Sequence, residues 1–188
     1  FSDVSVFSAV VGKDVPDEDP RISTAMYRRL RVDSSSSRSI FTLGINSILM
    51  QNKSQLGCAL SHIGMWAEVL EQGVPTIVVE DDPFPDASVT GDDIRRLCTA
   101  DFVSLMHMNK RSSNSNLKDV AKTWWGTQSY YLQPSAARKL MASAFPCDMH
   151  IDRHISTVAV RDGADWRVEW VPFHVTGNST LQHETVYQ

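Results

Sequence analysis

Two hydrophobic periods alternate along the chain. Between Ser54 and Gly73, apolar or small residues fall at Leu56, Ala59, Leu60, Ile63, Trp66, Ala67 and Leu70, in steps of three and one. Such a stripe predicts an amphipathic helix. Ser54 is its expected N-cap, Gly73 its stop, and Pro75 lies beyond it. The pattern then changes to the β-branched run Thr76-Ile77-Val78-Val79, which predicts a short buried strand. Glu80, Asp81 and Asp82 stand at its C-terminal end, followed by Pro83. Upstream, Val4 to Val11 alternates between two largely apolar faces and ends at Gly12, predicting a strand covered on both sides.

Asp14 to Pro20 reads as an acidic loop, and the serine run Ser34 to Ser37 as a flexible surface loop. Further on, Asp92 to Cys98 predicts a helix and Phe102 to Met106 a strand. Asn109 to Asn116 is polar and loop-like, and Gly126 to Leu132 is aromatic and extended. Pro134 opens a helix through Phe145, where proline suits the first turn, and Pro146 stops it. His150 to Val160 predicts another helix, with Ile151, Ile155, Val158 and Ala159 inward, and Trp166 to Val171 a late strand. The tail from Thr176 to Gln188 has no clear period.

Alternating helices and strands predict an α/β fold with a mixed, mostly parallel sheet flanked by helices. In such sheets ligands bind at the carboxyl ends of strands, which is where Glu80, Asp81 and Asp82 stand. A length of 188 residues fits one domain, 1–188, at roughly 150 residues per domain. The chain opens at Phe1, so the expectation includes a missing N-terminal strand.

Composition narrows the function. Lysine and arginine number 18 against 22 acidic residues, a net charge of −4, and no basic tract suggests nucleic-acid binding. No apolar run approaches the ~18 residues of a membrane span. Cys58, Cys98 and Cys147 form no C-x-x-C pair and no disulfide framework. A reducing, cytoplasmic setting is the simpler expectation, with membrane association through other segments or a lumenal site as alternatives. Asn52 and Asn178 lie in glycosylation sequons that matter only in a secreted chain.

Three adjacent carboxylates repel one another, and water, raised pKa values or a cation must relieve that repulsion. Oxygen donors of this kind suit magnesium or manganese. A solvated turn is the other reading of such a triplet. Here the sequence also resembles a family. Gly57-Cys58-Ala59-Leu60-Ser61-His62 with Trp66, then Pro75 through Asp82, is similar to the core signature of glycosyltransferase family 25. That family includes bacterial lipooligosaccharide galactosyltransferases and collagen galactosyltransferases. Phe7 through Asp14 is similar to its early strand and A-V-x-G-[KR] turn. Gly126 through Leu132, with Ala136-Ala137-Arg138-Lys139-Leu140, is similar to its later G-T-x-x-Y strand and A-A-x-x-L helix.

The resemblance implies a GT-A fold, a Rossmann-type sheet binding a UDP-sugar donor, with a D-x-D-type motif holding Mn2+ or Mg2+ on the diphosphate. In this chain the motif is Glu80-Asp81-Asp82. Asp82 is the implied direct metal ligand, Glu80 acts through metal-bound water, and Asp81 faces the ribose or donor sugar. Ser61 and His62 are placed with Asp81 on the donor side, His62 either supporting the acidic loop or simply packed. Trp66 is most simply core. The family's opening I-N-L strand with its nearby arginine is absent, and Gln55 stands where the family often has glutamate.

An inverting transfer needs a base for the acceptor hydroxyl. The resemblance points to Asp152 first and Asp148 second, the alternative for Asp148 being an N-cap. His183 in the tail is a candidate third metal ligand or an uninvolved tail histidine. His150 and His154, four apart, have metal-binding spacing without a third ligand, so a solvated pair is the simpler reading. Ser115-x-x-Lys118 matches a β-lactamase motif but lacks its companions. The expected function is metal-dependent transfer of a hexose from a UDP-sugar to a hydroxyl of a glycan or glycoprotein acceptor. A non-catalytic binding domain and a metal-dependent phosphoesterase are the alternatives.

Overall fold

A computed structural model describes residues 5–23, 50, 52–105, 115–124, 126–162, 165–169, 171 and 173–175. Helix α1 (Lys53–Gln72) is the longest element. Its N-cap is Asn52, whose side chain accepts from the Gln55 amide at 2.9 Å, rather than Ser54 two residues on. Both residues are cap formers, and here the helix begins at the earlier one. Gly73 ends α1 in the left-handed conformation at φ 69°, as its sequence position predicts. The inward stripe Leu56, Ala59, Leu60, Ile63, Trp66 and Val69 is buried.

Strand β1 (Thr76–Val79) follows, then β2 (Pro83–Pro85), α2 (Gly91–Leu97) and β3 (Phe102–Ser104). Next come β4 (Ser115–Asn116), the single turn α3 (Leu117–Val120), β5 (Ser129–Leu132) and α4 (Pro134–Met141). The chain continues through α5 (Ile151–Arg161), β6 (Arg167–Val168) and β7 (Phe173–Val175). The α/β class is as expected. The mostly parallel arrangement is not: the main sheet has the order β1-β5-β3-β6-β4, and β3–β6 is its one parallel pair among the described residues.

The correction has a physical cause. Strands β1 and β3 run in the same direction, as two strands joined through a helix do, but β5 is inserted between them in the opposite sense. All four of its residues are buried, so its backbone needs a hydrogen-bonding neighbour on both edges. Strand direction leaves no mark in a local hydrophobic period. The β2–β7 pair, antiparallel from Pro83↔Val175 to Pro85↔Phe173, also went unforeseen.

The strand expected at Val4 to Val11 is absent over the described residues 5–11, which lead instead into one 3-10 turn at Gly12–Asp14. Val6 is 94% exposed, which a strand covered on both sides would not allow. The segment lies along α1 instead. A Cβ on Gly57 would stand 2.5 Å from the Val10 carbonyl oxygen, and one on Gly12 would clash with the Lys53 carbonyl. Ser61 Oγ accepts from the Val10 amide at 2.8 Å and donates to the Gly57 carbonyl at 2.8 Å. The small residues of the signature helix thus admit a neighbouring backbone.

Helix α4 packs against α1 and α5. Between helices and sheet lies a core whose largest fully buried side chains are Trp66, Trp124, Trp166, Tyr130 and Phe102. Phe102 stacks on Tyr130 with ring centroids 5.2 Å apart and tilts against Trp166 at 5.1 Å. Pairs like these add roughly 0.5–1.5 kcal/mol each beyond area burial. Among the described residues no helix is long and apolar enough to cross a membrane.

Candidate functional site

The ladder between β1 and β5 continues one step past Val79. The Glu80 amide donates to the Gln128 carbonyl at 2.9 Å, which fixes the start of the acidic triplet against the Gly126–Gln128 turn. Because β5 is antiparallel, that turn enters β5 at the same end where β1 leaves the sheet. Thr127 thereby reaches Glu80, donating from Oγ1 to Oε1 at 2.8 Å.

Helix α1 brings His62 to the same oxygen, with Nε2 3.2 Å from Glu80 Oε1. The other ring nitrogen, Nδ1, lies 2.8 Å from Tyr130 Oη, which accepts from Trp66 Nε1 at 2.9 Å. Trp66, Tyr130, His62, Glu80 and Thr127 thus form one hydrogen-bonded chain from the core to the acidic strand end. Trp66 is core, as expected, but it also contributes its indole N–H.

Charge follows this geometry. Burial pushes Glu80 up, yet the hydrogen bond and charge of His62, with Thr127, outweigh it and hold the carboxyl below its usual range. Burial works against a charged His62, but the Tyr130 oxygen, Cys58 and Glu80 outweigh it and hold His62 well above the ordinary histidine range. Asp82 is buried at 6% exposure, while Asp81 is exposed. Burial raises Asp82, and the negative charges of Glu80 and Asp81 raise it further.

Asp152, in the first turn of α5, joins this cluster. Its Oδ1 accepts from the Gly126 amide at 2.9 Å. Burial raises its carboxyl, the Gly126 amide works the other way, and the charges of His62 and Glu80 both reach it. Gly126 has φ 153°, a conformation open to glycine and strained for other residues, so this amide depends on the residue type.

Other expected site residues lie apart from the cluster. Asp148 neighbours Cys147 and His154 on the approach to α5, and its backbone carbonyl accepts from the Met50 amide. The N-cap of α5 is His150, without a side-chain cap bond, so Asp148 is not that cap. Ser61 is engaged by Val10 and Gly57. His154 is no solvated partner of His150: it is buried, bonds the Leu140 carbonyl at 2.9 Å and stacks on Trp66. His183 lies outside the described residues, as do the serine run at 34–37 and most of the polar loop at 109–116.

Sequence reasoning passed over Thr127, Gly126 and Tyr130 as members of the site. Their G-T-x-x-Y spacing was the available signal, since two residues separate the Glu80-facing Thr127 from the His62-facing phenol of Tyr130. The donor set of the triplet suits a hard divalent cation. Its residues are consecutive, and burial, followed by the negative charges of Glu80 and Asp81, raises Asp82. Gln128 Oε1 and Ser129 Oγ are buried without a hydrogen-bond partner among the described residues.

Residues 3–90 match the family model described as Glycosyltransferase family 25 (LPS biosynthesis protein). No curated protein and no solved structure gives a significant match.

Proposed function

We propose that this chain, whose residues 3–90 match the glycosyltransferase family 25 model, is a glycosyltransferase that moves a hexose from a UDP-sugar to a hydroxyl of a glycan or glycoprotein acceptor in a metal-dependent reaction. One observation carries the reading. The turn before β5 holds Glu80 of the acidic strand end through Thr127 and Asp152 through the Gly126 amide, so a donor-side triplet and a basic carboxylate flank one turn.

Asp82 would hold Mn2+ or Mg2+ directly, Glu80 would act through water, and Asp81 would face the ribose or donor sugar. The cation supplies neutralisation of the negative charge developing on the leaving diphosphate. The chain's own residues do the rest. His62 and Thr127 hold the Glu80 carboxylate charged and oriented. Asp152 accepts the acceptor hydroxyl's proton as that oxygen attacks the anomeric carbon and the bond to phosphate breaks. Its raised affinity for a proton suits this step. The Gly126 amide fixes the oxygen of Asp152 that it bonds, leaving the other for the acceptor.

Titration of UDP with and without manganese tests the assignment. Asp82→Ala should lose manganese-dependent binding while keeping the parent's circular dichroism spectrum. Parent-like binding in that variant would overturn the role given to the triplet.

A further inference from the structure

We propose that Cys58, His62 and Glu80 form a second metal site, one that takes a thiophilic divalent cation of the zinc class. The three offer a sulfur, an imidazole nitrogen and a carboxylate oxygen, all within 4.8 Å of one another, and they are the one such group among the described residues. Cys58 and His62 are four residues apart on α1, hence on one face of a 20-residue helix. Glu80 arrives from the end of β1.

Two geometric facts support ligation. His62 Nε2 and Glu80 Oε1 are 3.2 Å apart. Two ligands on a tetrahedral zinc, with bonds of about 2.0–2.1 Å, are separated by roughly 3.3 Å, so these two atoms already span one edge. The Cys58 sulfur lies within 4.8 Å of both atoms, and a tetrahedral edge from sulfur to nitrogen or oxygen is roughly 3.6 Å, a closure within reach of a side-chain rotation. Second, His62 Nδ1 is held by Tyr130 Oη at 2.8 Å, the kind of hydrogen bond on the far ring nitrogen that orients a ligating histidine. The cation takes the place of the proton between Nε2 and Oε1, and the Cys58 thiol proton is released.

Donor chemistry separates this site from the acidic triplet. Sulfur and imidazole select zinc-like ions, whereas adjacent carboxylates select magnesium or manganese. Glu80 belongs to both sets. On the reading of the triplet given above, a thiophilic ion therefore withdraws Glu80 from the donor side and inhibits transfer.

Cobalt(II) provides the test, because a thiolate bound to it gives a near-ultraviolet charge-transfer band. The full chain should develop that band to one equivalent. Zinc should bleach it, and excess magnesium or manganese should not. Cys58→Ser should abolish the band and weaken zinc binding at least tenfold, with unchanged thermal unfolding in the metal-free state. Cys98→Ser should leave both intact. Burial pushes the Cys98 thiol up to about 11 and the Cys147 thiol up to about 12, so neither competes as a thiolate. Absence of the band, or its survival in Cys58→Ser, would overturn the proposal. A band lost in Cys58→Ser together with zinc-insensitive transfer would uphold the metal site and remove Glu80 from donor binding instead.

Discussion

The Tyr130 hydroxyl serves two buried nitrogens at once, Trp66 Nε1 and His62 Nδ1. Tyr130→Phe leaves both facing a ring edge, and a buried donor deprived of its partner costs about 1–3 kcal/mol. A fall of that size in chemical-denaturation stability is expected, and an unchanged midpoint would show that the two nitrogens find other partners. The Glu80–His62 pair responds to pH in both directions. Glu80 is held below its ordinary 4.5, so its contribution is present above that value and is lost as pH falls through the folded value. His62 is held above 6.5, so its contribution is present below that value and is lost as pH rises through the folded value. The stability advantage of the parent over Glu80→Gln should therefore be largest between these two values and shrink on either side, as thermal melts across pH will report. In the proposed reaction, Asp152 acts only while the proton moves. Asp152→Asn should lower kcat by roughly a hundredfold or more and barely change UDP-sugar affinity. Near-normal turnover would take the base from Asp152.

Between elements, the closest approach is that of residues 10–12 to α1. Gly57→Ala would set a methyl group 2.5 Å from the Val10 carbonyl oxygen, and relief requires the two backbones to separate. Overpacking of this kind costs about 1–3 kcal/mol. The variant should lose that much stability and become more sensitive to proteolysis near Val10, whereas an Ala67→Gly control on the exposed face of α1 should spare the N-terminal segment. Much at this scale was legible beforehand. The 3.6-residue period located α1 and α5, and the β-branched run located β1, because each records which side of a single element meets the core. Val4 to Val11 misled for the same reason. Its apolar alternation is real, but the segment is seated on glycines and a serine of a helix, and a partner's backbone leaves no period in the segment itself. Helix α4 ends at Met141, short of Phe145, because Ala142 and Ser143 pass into a turn whose side chains carry no distinct stop signal.

Across the molecule, the acidic triplet is held from both sides by distant chain. β1 pairs with β5 before the triplet, and β2, which follows Asp82 directly, pairs with β7. Ending the chain after Val171 removes β7. The main sheet should keep its far-ultraviolet circular dichroism, while manganese-dependent UDP affinity should fall at least tenfold. Equal affinity would show that β2 holds its position without β7. The triplet was visible as a candidate from residue type and position, and His62 and Asp152 from the family resemblance. Their convergence on one turn was not, because it depends on the reversed direction of β5, which only the assembled sheet defines. That reversal also bears on how the protein is made. On a ribosome, Ile77 and Val103 emerge well before Tyr131, the residue that pairs with both. Until Ser129–Leu132 arrives, the nascent chain carries two apolar strands whose facing edges have no partner, the state in which strands from different chains join. Fragments that stop short of residue 129 should therefore aggregate during translation, and slower elongation through the preceding stretch should lengthen the time for which a chaperone must hold the chain.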